Sequence, residues 1–273
     1  MGKQMTNETS DSYERIATWY DVEHDGVTED SECYASILGD LFEGPRRVLE
    51  IGAGTGRVAV ALALAGHRVT AVEPSGAMRA RLFTRLAQLP ERVRRRVRAV
   101  EGSAASPALD TSEQFDAILF GQGVFAHLVT HDERQVALTR AHAHLADTGR
   151  VIVDVDLTGP RRLLESTGLM WWQGSWTYPP DNVEVSHFVT GLPGPAPDVV
   201  EAVHIYDIQQ PDGTVRRTIT RMPLAVLNGT TVELALLRAG FSMESAYGGY
   251  GLVPLSAASD RMIAVAGVQP SHH

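Results

Sequence analysis

Val48-Leu49-Glu50-Ile51-Gly52-Ala53-Gly54-Thr55-Gly56-Arg57 is the stretch on which the reading of this chain turns. An apolar run carries an acid, and three glycines at two-residue spacing then open the helix-forming run 58–65. Glycine serves where backbone must turn sharply and approach a ligand, because it has no Cβ. A dinucleotide fingerprint would read G-x-G-x-x-G. Here Arg57 occupies the third glycine position and Gly56 sits one residue earlier, which opposes a nicotinamide-dependent oxidoreductase.

Outward from that stretch the chain alternates. Arg47–Ile51 reads as a strand and Val58–Ala65 as a helix closed by Gly66. Arg68–Glu73 is a second strand, and Ser75–Leu89 a helix capped by Ser75 and stopped by Pro90. Val97–Glu101 and Phe115–Phe120 are further strands, followed by a helix over His131–Leu145 and a fifth strand over Arg150–Val155. Strands alternating with helices predict a parallel, doubly wound sheet. Upstream, residues 1–12 are polar and read as disordered, and Tyr13–Leu41 carries helical periodicity broken near Gly26.

After Asp156 the texture changes. A short helical run leads into Trp171, Trp172, Trp176 and Tyr178, and Gly191–Pro197 reads as a loop. Val199–Gln209 and Thr214–Pro223 flank Pro211-Asp212-Gly213, a turn sequence that predicts an antiparallel hairpin. Residues 157–224 thus read as an insertion of extended strands. Thr230–Ala239 returns to helix, and Phe241–Tyr247 and Arg261–Ala266 read as closing strands.

The G-x-G-x-G spacing, with Glu73 ending the second strand, resembles the first motifs of class I S-adenosylmethionine (SAM) methyltransferases. The resemblance covers 13–155 well and the C-terminal strands more loosely. It implies an α/β fold: a Rossmann-like, doubly wound seven-stranded sheet with an antiparallel last strand and a late antiparallel β insertion. It implies an N-terminal helical lid (1–42), a SAM-binding core (43–156), an insertion over the substrate (157–224) and a C-terminal completion of the sheet (225–273). The cofactor would be SAM, leaving as S-adenosylhomocysteine.

In that resemblance Gly52, Ala53, Gly54, Thr55, Gly56 and Arg57 form the turn that meets the amino-acid end of SAM, and Glu50 helps to hold its ammonium. Glu73 accepts hydrogen bonds from the ribose hydroxyls, each charge-assisted bond contributing roughly 1.5–3 kcal/mol. Pro74 and Met78 pack on adenine. The Gly-Asp-Ala element of the family reads Gly102-Ser103-Ala104 here, so a serine replaces the acid that meets the adenine amino group. Phe120, Gly121 and Phe125 lie in the segment that passes under the methionine moiety. Trp19-Tyr20-Asp21 resembles the N-terminal lid of bacterial small-molecule methyltransferases. Tyr20, and Tyr13 before it, either close over SAM and the acceptor or form the packed face of a helix.

On the acceptor side, His127 is either a base with a suitable ordinary pKa or a structural histidine at a strand–helix junction. His24 and Gln122 are further candidates. An acid at the end of the fifth strand, Asp154 or Asp156, is another proton acceptor, with Asp154 read rather as structural support. Trp171, Trp172, Trp176 and Tyr178 are either the core of the insertion or the wall of an acceptor pocket; this much aromatic area needs a cover. No spacing of ligating residues resembles a metal site.

These readings predict methyl transfer to a nitrogen or carbon of a small indole-like aromatic or amine in specialised metabolism. A phenol O-methyltransferase and an amino-sugar N-methyltransferase are alternatives, and a non-catalytic SAM-fold partner subunit is a rival. With 273 residues, 44% hydrophobic and 21% charged, the composition is that of an ordinary globular protein. A net charge of -9 opposes a nucleic-acid partner. Cys33 is the single cysteine, so a disulfide framework is excluded within one chain. No run approaches the ~20 apolar residues of a membrane span, and Met1-Gly2-Lys3-Gln4 lacks an apolar signal region. The expectation is a cytoplasmic protein with no membrane partner, able to form a homodimer through the insertion.

Overall fold

In the computed structural model, residues 2–24, 26–180 and 182–269 are described, with the backbone alone for residues 2–11. Helices α1 (Gly2–His24) and α2 (Glu29–Leu41) precede the alternating region β1 (Arg47–Ile51), α3 (Arg57–Leu64), β2 (Arg68–Glu73), α4 (Gly76–Ala87), α5 (Glu91–Arg94) and β3 (Val97–Glu101). It continues through β4 (Phe115–Phe120), the 3-10 turn Val124–His127, α6 (His131–His144) and β5 (Leu145–Asp156). Then come α7 (Gly159–Glu165) and the strands β6 (Met170–Tyr178), β7 (Val183–Pro193), β8 (Val199–Gln209) and β9 (Val215–Ala225). Helix α8 (Gly229–Arg238) and strands β10 (Phe241–Tyr247) and β11 (Arg261–Val268) close the fold.

Seven strands form one sheet in the order β10-β11-β5-β4-β1-β2-β3. The five α/β strands pair in parallel, and β11 is antiparallel to both β5 and β10. This is the Rossmann-like sheet with antiparallel closing strands that the sequence predicts. Its buried strands read as near-continuous apolar runs because helices cover both faces. Phe115, Ile118 and Phe120 pack toward α6 and α8 on one face, while Ala117 and Leu119 pack toward α2 and α3 on the other.

The local signals act as read. The Ser75 hydroxyl accepts from Met78 N–H (3.2 Å) and starts α4. Thr130 and Glu133 cap each other's backbone at α6. The insertion is a separate antiparallel sheet, ordered β6-β7-β8-β9. Its β8–β9 hairpin registers Gln209 against Val215, and the Thr214 N–H donates to Asp212 Oδ1 (2.9 Å) in the turn.

Two expectations change. Residues 2–12 are helical, the first part of α1, and Met1 lies outside the described residues. Ile16 and Trp19 are buried with Val185, Tyr206 and Met222 of the insertion, so the second half of α1 is anchored. Extending an existing helix costs far less than nucleating one. The loop expected at Gly191–Pro197 begins later, because β7 runs to Pro193 and pairs it with Val200 of β8. Proline is tolerated there because β6 pairs only as far as Thr190, leaving that edge of β7 without a ladder partner at Pro193. Among the described residues no helix is long and apolar enough to cross a membrane.

Candidate active site

The glycine turn leaves β1 at the centre of the sheet, where the strand order reverses between β4 and β2. Such switch points are where open α/β sheets bind ligands. Gly52 has φ +70°, and a Cβ on it would lie 2.6 Å from Val124. Gly54 has φ +57° with open space around its missing Cβ. The turn therefore needs glycine for its backbone angles, and at Gly54 it bares backbone to a cavity. Gly52, Ala53, Gly54 and Thr55 all line that cavity.

Two acids stand beside the turn. Glu73 Oε2 accepts from Gly54 N–H (2.8 Å) and Oε1 from Ser75 N–H (2.8 Å). Burial raises the Glu73 carboxyl above the usual carboxylate range, against the pull of those two N–H groups. Glu50 is only 5% exposed, and its Oε2 has no hydrogen-bond partner. Burial pushes its carboxyl up to about 8. A buried, unpartnered carboxylate is costly. The site thus holds a carboxyl that lacks a donor or a cation.

Pro74, Met78, Ser103 and Ala104 also line the cavity, as do Gly121, Gln122 and His127. Tyr13 and Tyr20 of α1 close it. The two rings meet edge to face at 6.2 Å, and Tyr20 stacks on His24 at 4.1 Å. Burial raises both phenols, so both are neutral donors. Tyr13 Oη lies 3.0 Å from His127 Nε2. Nδ1 of His127 is buried without a partner, and burial lowers this imidazole to about 4.

Several sequence candidates sit elsewhere. Phe120 and Phe125 are fully buried and pack edge to face at 5.8 Å in the core, so they support the site from below. Gly56 lies against Leu82 and Gly102 against the Ser106–Pro107 backbone, and neither lines the cavity. Arg57 does line it, but its guanidinium binds Asp30 bidentately (2.6 and 2.5 Å) and Val27 O (2.8 Å), tying α3 to α2. Asp154 is fully buried. It accepts from Tyr34, from Gln122 N–H (3.1 Å), from Tyr250 (3.0 Å) and from Arg261 (2.5 Å). Its hydrogen bonds anchor the Gln122 loop, whose φ is +48°. Asp156 Oδ1 accepts from Thr158 and Gly159 N–H groups at the start of α7.

A second hollow adjoins the first and shares Gln122 and His127 with it. Trp171 and Trp172 line this hollow, but Trp176 and Tyr178 do not. Tyr178 instead meets Trp19 edge to face at 5.0 Å and fixes α1 to the insertion. The aromatic cluster is therefore divided between packing and a hollow. His24 and Tyr13 face a third recess beneath α1, beside His187 and His204.

Sequence reading missed the apolar lining Ile51, Val58, Val124 and Leu128. It also missed the latches that hold α1 over the site. Glu14 accepts from Ser75 Oγ (2.9 Å) and Ala77 N–H (3.0 Å), and Asp21 pairs with Arg85 (2.8 Å). The acids of α1 at seven-residue spacing were the available signal. Among the described residues no group of three or more His, Cys, Asp or Glu side chains could hold a metal ion.

Residues 49–151 match the methyltransferase-domain family. No curated protein matches the chain by sequence. Among solved structures, the CcbJ methyltransferase from Streptomyces caelestis superposes with a TM-score of 0.79 at 23% identity, covering 96% of this chain and 99% of that one. The sugar N-methyltransferase KedS8 from Streptoalloteichus gives 0.70 at 18% identity, covering 93% and 92%. The SAM-bound amino pentose methyltransferase CalS10 from Micromonospora echinaspora, involved in calicheamicin biosynthesis, gives 0.66 at 19%, covering 88% and 92%. The chain has a Rossmann-like methyltransferase fold.

Proposed function

We propose that this methyltransferase-domain chain binds SAM in the glycine-turn cavity and passes its methyl group to a nitrogen of a small-molecule amine in the adjoining hollow. The observation that carries the proposal is Glu50 Oε2, buried beside the glycine turn without a partner. An ammonium is the group that such an oxygen lacks, and the amino-acid tail of SAM brings one. Glu73, already oriented by two backbone N–H groups, would take the ribose hydroxyls. Pro74 and Met78 would face adenine, with Ser103 accepting or donating at its polar edge. Tyr20 would lie over the sulfonium, a cation–π contact of about 0.5–2 kcal/mol.

Bound SAM supplies an electrophilic methyl carbon on a sulfonium. The chain's contribution is to seat the cofactor, exclude water under α1 and orient the acceptor within about 3–3.5 Å of that carbon. An amine fits better than an indole, because only Trp171 and Trp172 of the four aromatic candidates line the hollow. The sugar N-methyltransferase KedS8 and the amino pentose methyltransferase CalS10 among the structural neighbours support the same choice. A carbon or oxygen acceptor is the alternative. The exposed edge strand β6, with Met170 and Trp172, supports docking of a second copy there, and sedimentation velocity at varied concentration tests that.

Incubation with methyl-labelled SAM and a panel of amino sugars, alkyl amines, indoles and phenols tests the function. Label on an amine nitrogen supports it. Label only on carbon or oxygen favours the alternative. Absence of S-adenosylhomocysteine binding would overturn the reading.

A further inference from the structure

Beneath α1 lies a chain of three side chains that no motif announced. Glu23 Oε1 is 2.8 Å from His187 Nδ1, and His187 Nε2 is 3.0 Å from His204 Nδ1. The Tyr206 hydroxyl donates to Glu23 Oε2 (3.1 Å), and its ring stacks on His187 at 4.2 Å with a 4° tilt. His187 is 3% exposed and therefore enclosed. His204 borders both the acceptor hollow and the recess beneath α1.

The hydrogen bonds fix the protons. Burial acts to raise Glu23, but the His187 hydrogen bond and charge hold its carboxyl below the usual range, so it is ionised. A carboxylate only accepts, so His187 Nδ1 carries a hydrogen. In neutral His187 the other nitrogen, Nε2, then has only a lone pair. His204 must therefore donate from Nδ1, which leaves His204 Nε2 bare. A proton arriving at that nitrogen can be passed on. The Nδ1 proton of His204 moves to His187 Nε2, and His187 becomes an imidazolium beside the Glu23 carboxylate.

We propose that Glu23, His187 and His204 form a proton relay on the acceptor side, in which His204 Nε2 takes the proton that an acceptor ammonium must lose before it can attack. The inference rests on the methyl-transfer reading above. An ammonium has no lone pair and cannot displace at the methyl carbon. Its N–H bond breaks, the electron pair stays on nitrogen and the proton enters the relay. That pair then forms the N–C bond while the C–S pair returns to sulfur. The balance is one proton moved to His187 and one methyl moved to nitrogen.

The two-histidine arrangement has a physical reason. Burial lowers His204 to about 3, so alone it would be a poor base. The relay stores the proton on His187, which faces a carboxylate. The other groups lining the two recesses with His204 are Tyr13, Tyr20 and His24 from α1, His127 from the 3-10 turn, Asp156 at the end of β5, Arg162 of α7, whose guanidinium lies over the Trp171 ring, Tyr206 on its own strand, and Tyr250 with Arg261 from the closing segment. Arg261 is neutralised by Asp154, and the phenols Tyr13, Tyr20, Tyr206 and Tyr250 are raised by burial. His127 is lowered to about 4, again by burial, which leaves Glu23 as the anion that meets the relay directly.

Nitrogen-15 NMR of histidine-labelled full-length protein, loaded with S-adenosylhomocysteine, tests this without a known acceptor. On lowering the pH, His187 should gain its second N–H while His204 switches from Nδ1–H to Nε2–H in the same transition. Glu23→Gln should move that transition down by at least one pH unit. In the assay, His204→Phe and Glu23→Gln should lower kcat/KM at least tenfold on an alkyl amine, with cofactor affinity within twofold of wild type. A His204 that holds one tautomer throughout, or a His187 transition that ignores Glu23→Gln, would overturn the relay. Loss of S-adenosylhomocysteine binding in the wild type would instead overturn the methyltransferase reading beneath it.

Discussion

The two halves of the proposed site are built in opposite ways. The cofactor half is nearly continuous in sequence: the glycine turn, Glu50 and Glu73 come from β1, β2 and the turn between β1 and α3. The acceptor half draws Glu23 from α1, His127 from the 3-10 turn, and His187 and His204 from paired strands of the insertion. The first half is held by local backbone geometry. The second exists only after α1, the core and the insertion have packed together. Disturbing one half should therefore leave the other working, and that independence can be broken experimentally.

The largest effect should come from Gly54→Val. A β-branched residue at φ +57° is strained by roughly 1–3 kcal/mol and intrudes where the backbone faces the cavity. Binding of S-adenosylhomocysteine should fall beyond the reach of calorimetry, while the NMR behaviour of the His187–His204 pair persists. Next is Glu73→Ala, which removes a charge-assisted acceptor and should weaken cofactor binding by about 10–100-fold. Acceptor KM at saturating SAM should remain near wild type. If it rises in parallel, the halves are coupled.

A pH test separates them further. The Glu50 carboxyl is raised to about 8 in the folded protein, so the folded state binds its proton more tightly than the unfolded chain. The corresponding stability is present at low pH and is lost as pH rises through about 8. The ligand-free protein should lose thermal stability across that window, and Glu50→Gln should flatten the profile. An unchanged slope in the variant would detach Glu50 from this behaviour. The smallest effect expected is that of Trp172→Ala. Its side chain is 65% exposed, so stability should change by less than about 1 kcal/mol, whereas acceptor KM should rise severalfold. Unchanged KM would return this tryptophan to the edge of β6 as a surface residue.

The same contrast explains what the sequence made legible. The glycine spacing, Glu73 at a strand end and Ser75 at a helix start are short-range signals, each readable within a few residues. The hairpin at Pro211-Asp212-Gly213 was legible for the same reason. Phe120 and Phe125 were misplaced because a motif gives position along the chain but not which face of the strand or turn a side chain takes. Tyr178 fell to packing because α1 brings Trp19 against the insertion, and Trp176 lies over Gly174. His187 and His204 could not be connected by spacing at all. Strand register brings them together, with His187 opposite Tyr206 and His204 opposite Val189, and register is decided by the hairpin and the buried face.

The central claim is that the buried carboxyl beside the glycine turn holds the cofactor's ammonium. Titration calorimetry of S-adenosylhomocysteine into wild type and Glu50→Gln, at pH 7 in buffers of different ionisation enthalpy, tests it most directly. The prediction is one site per chain, proton release on wild-type binding as Glu50 ionises against the ammonium, and at least tenfold weaker binding without proton release in Glu50→Gln. Equal affinity and equal proton release in the two proteins would contradict it.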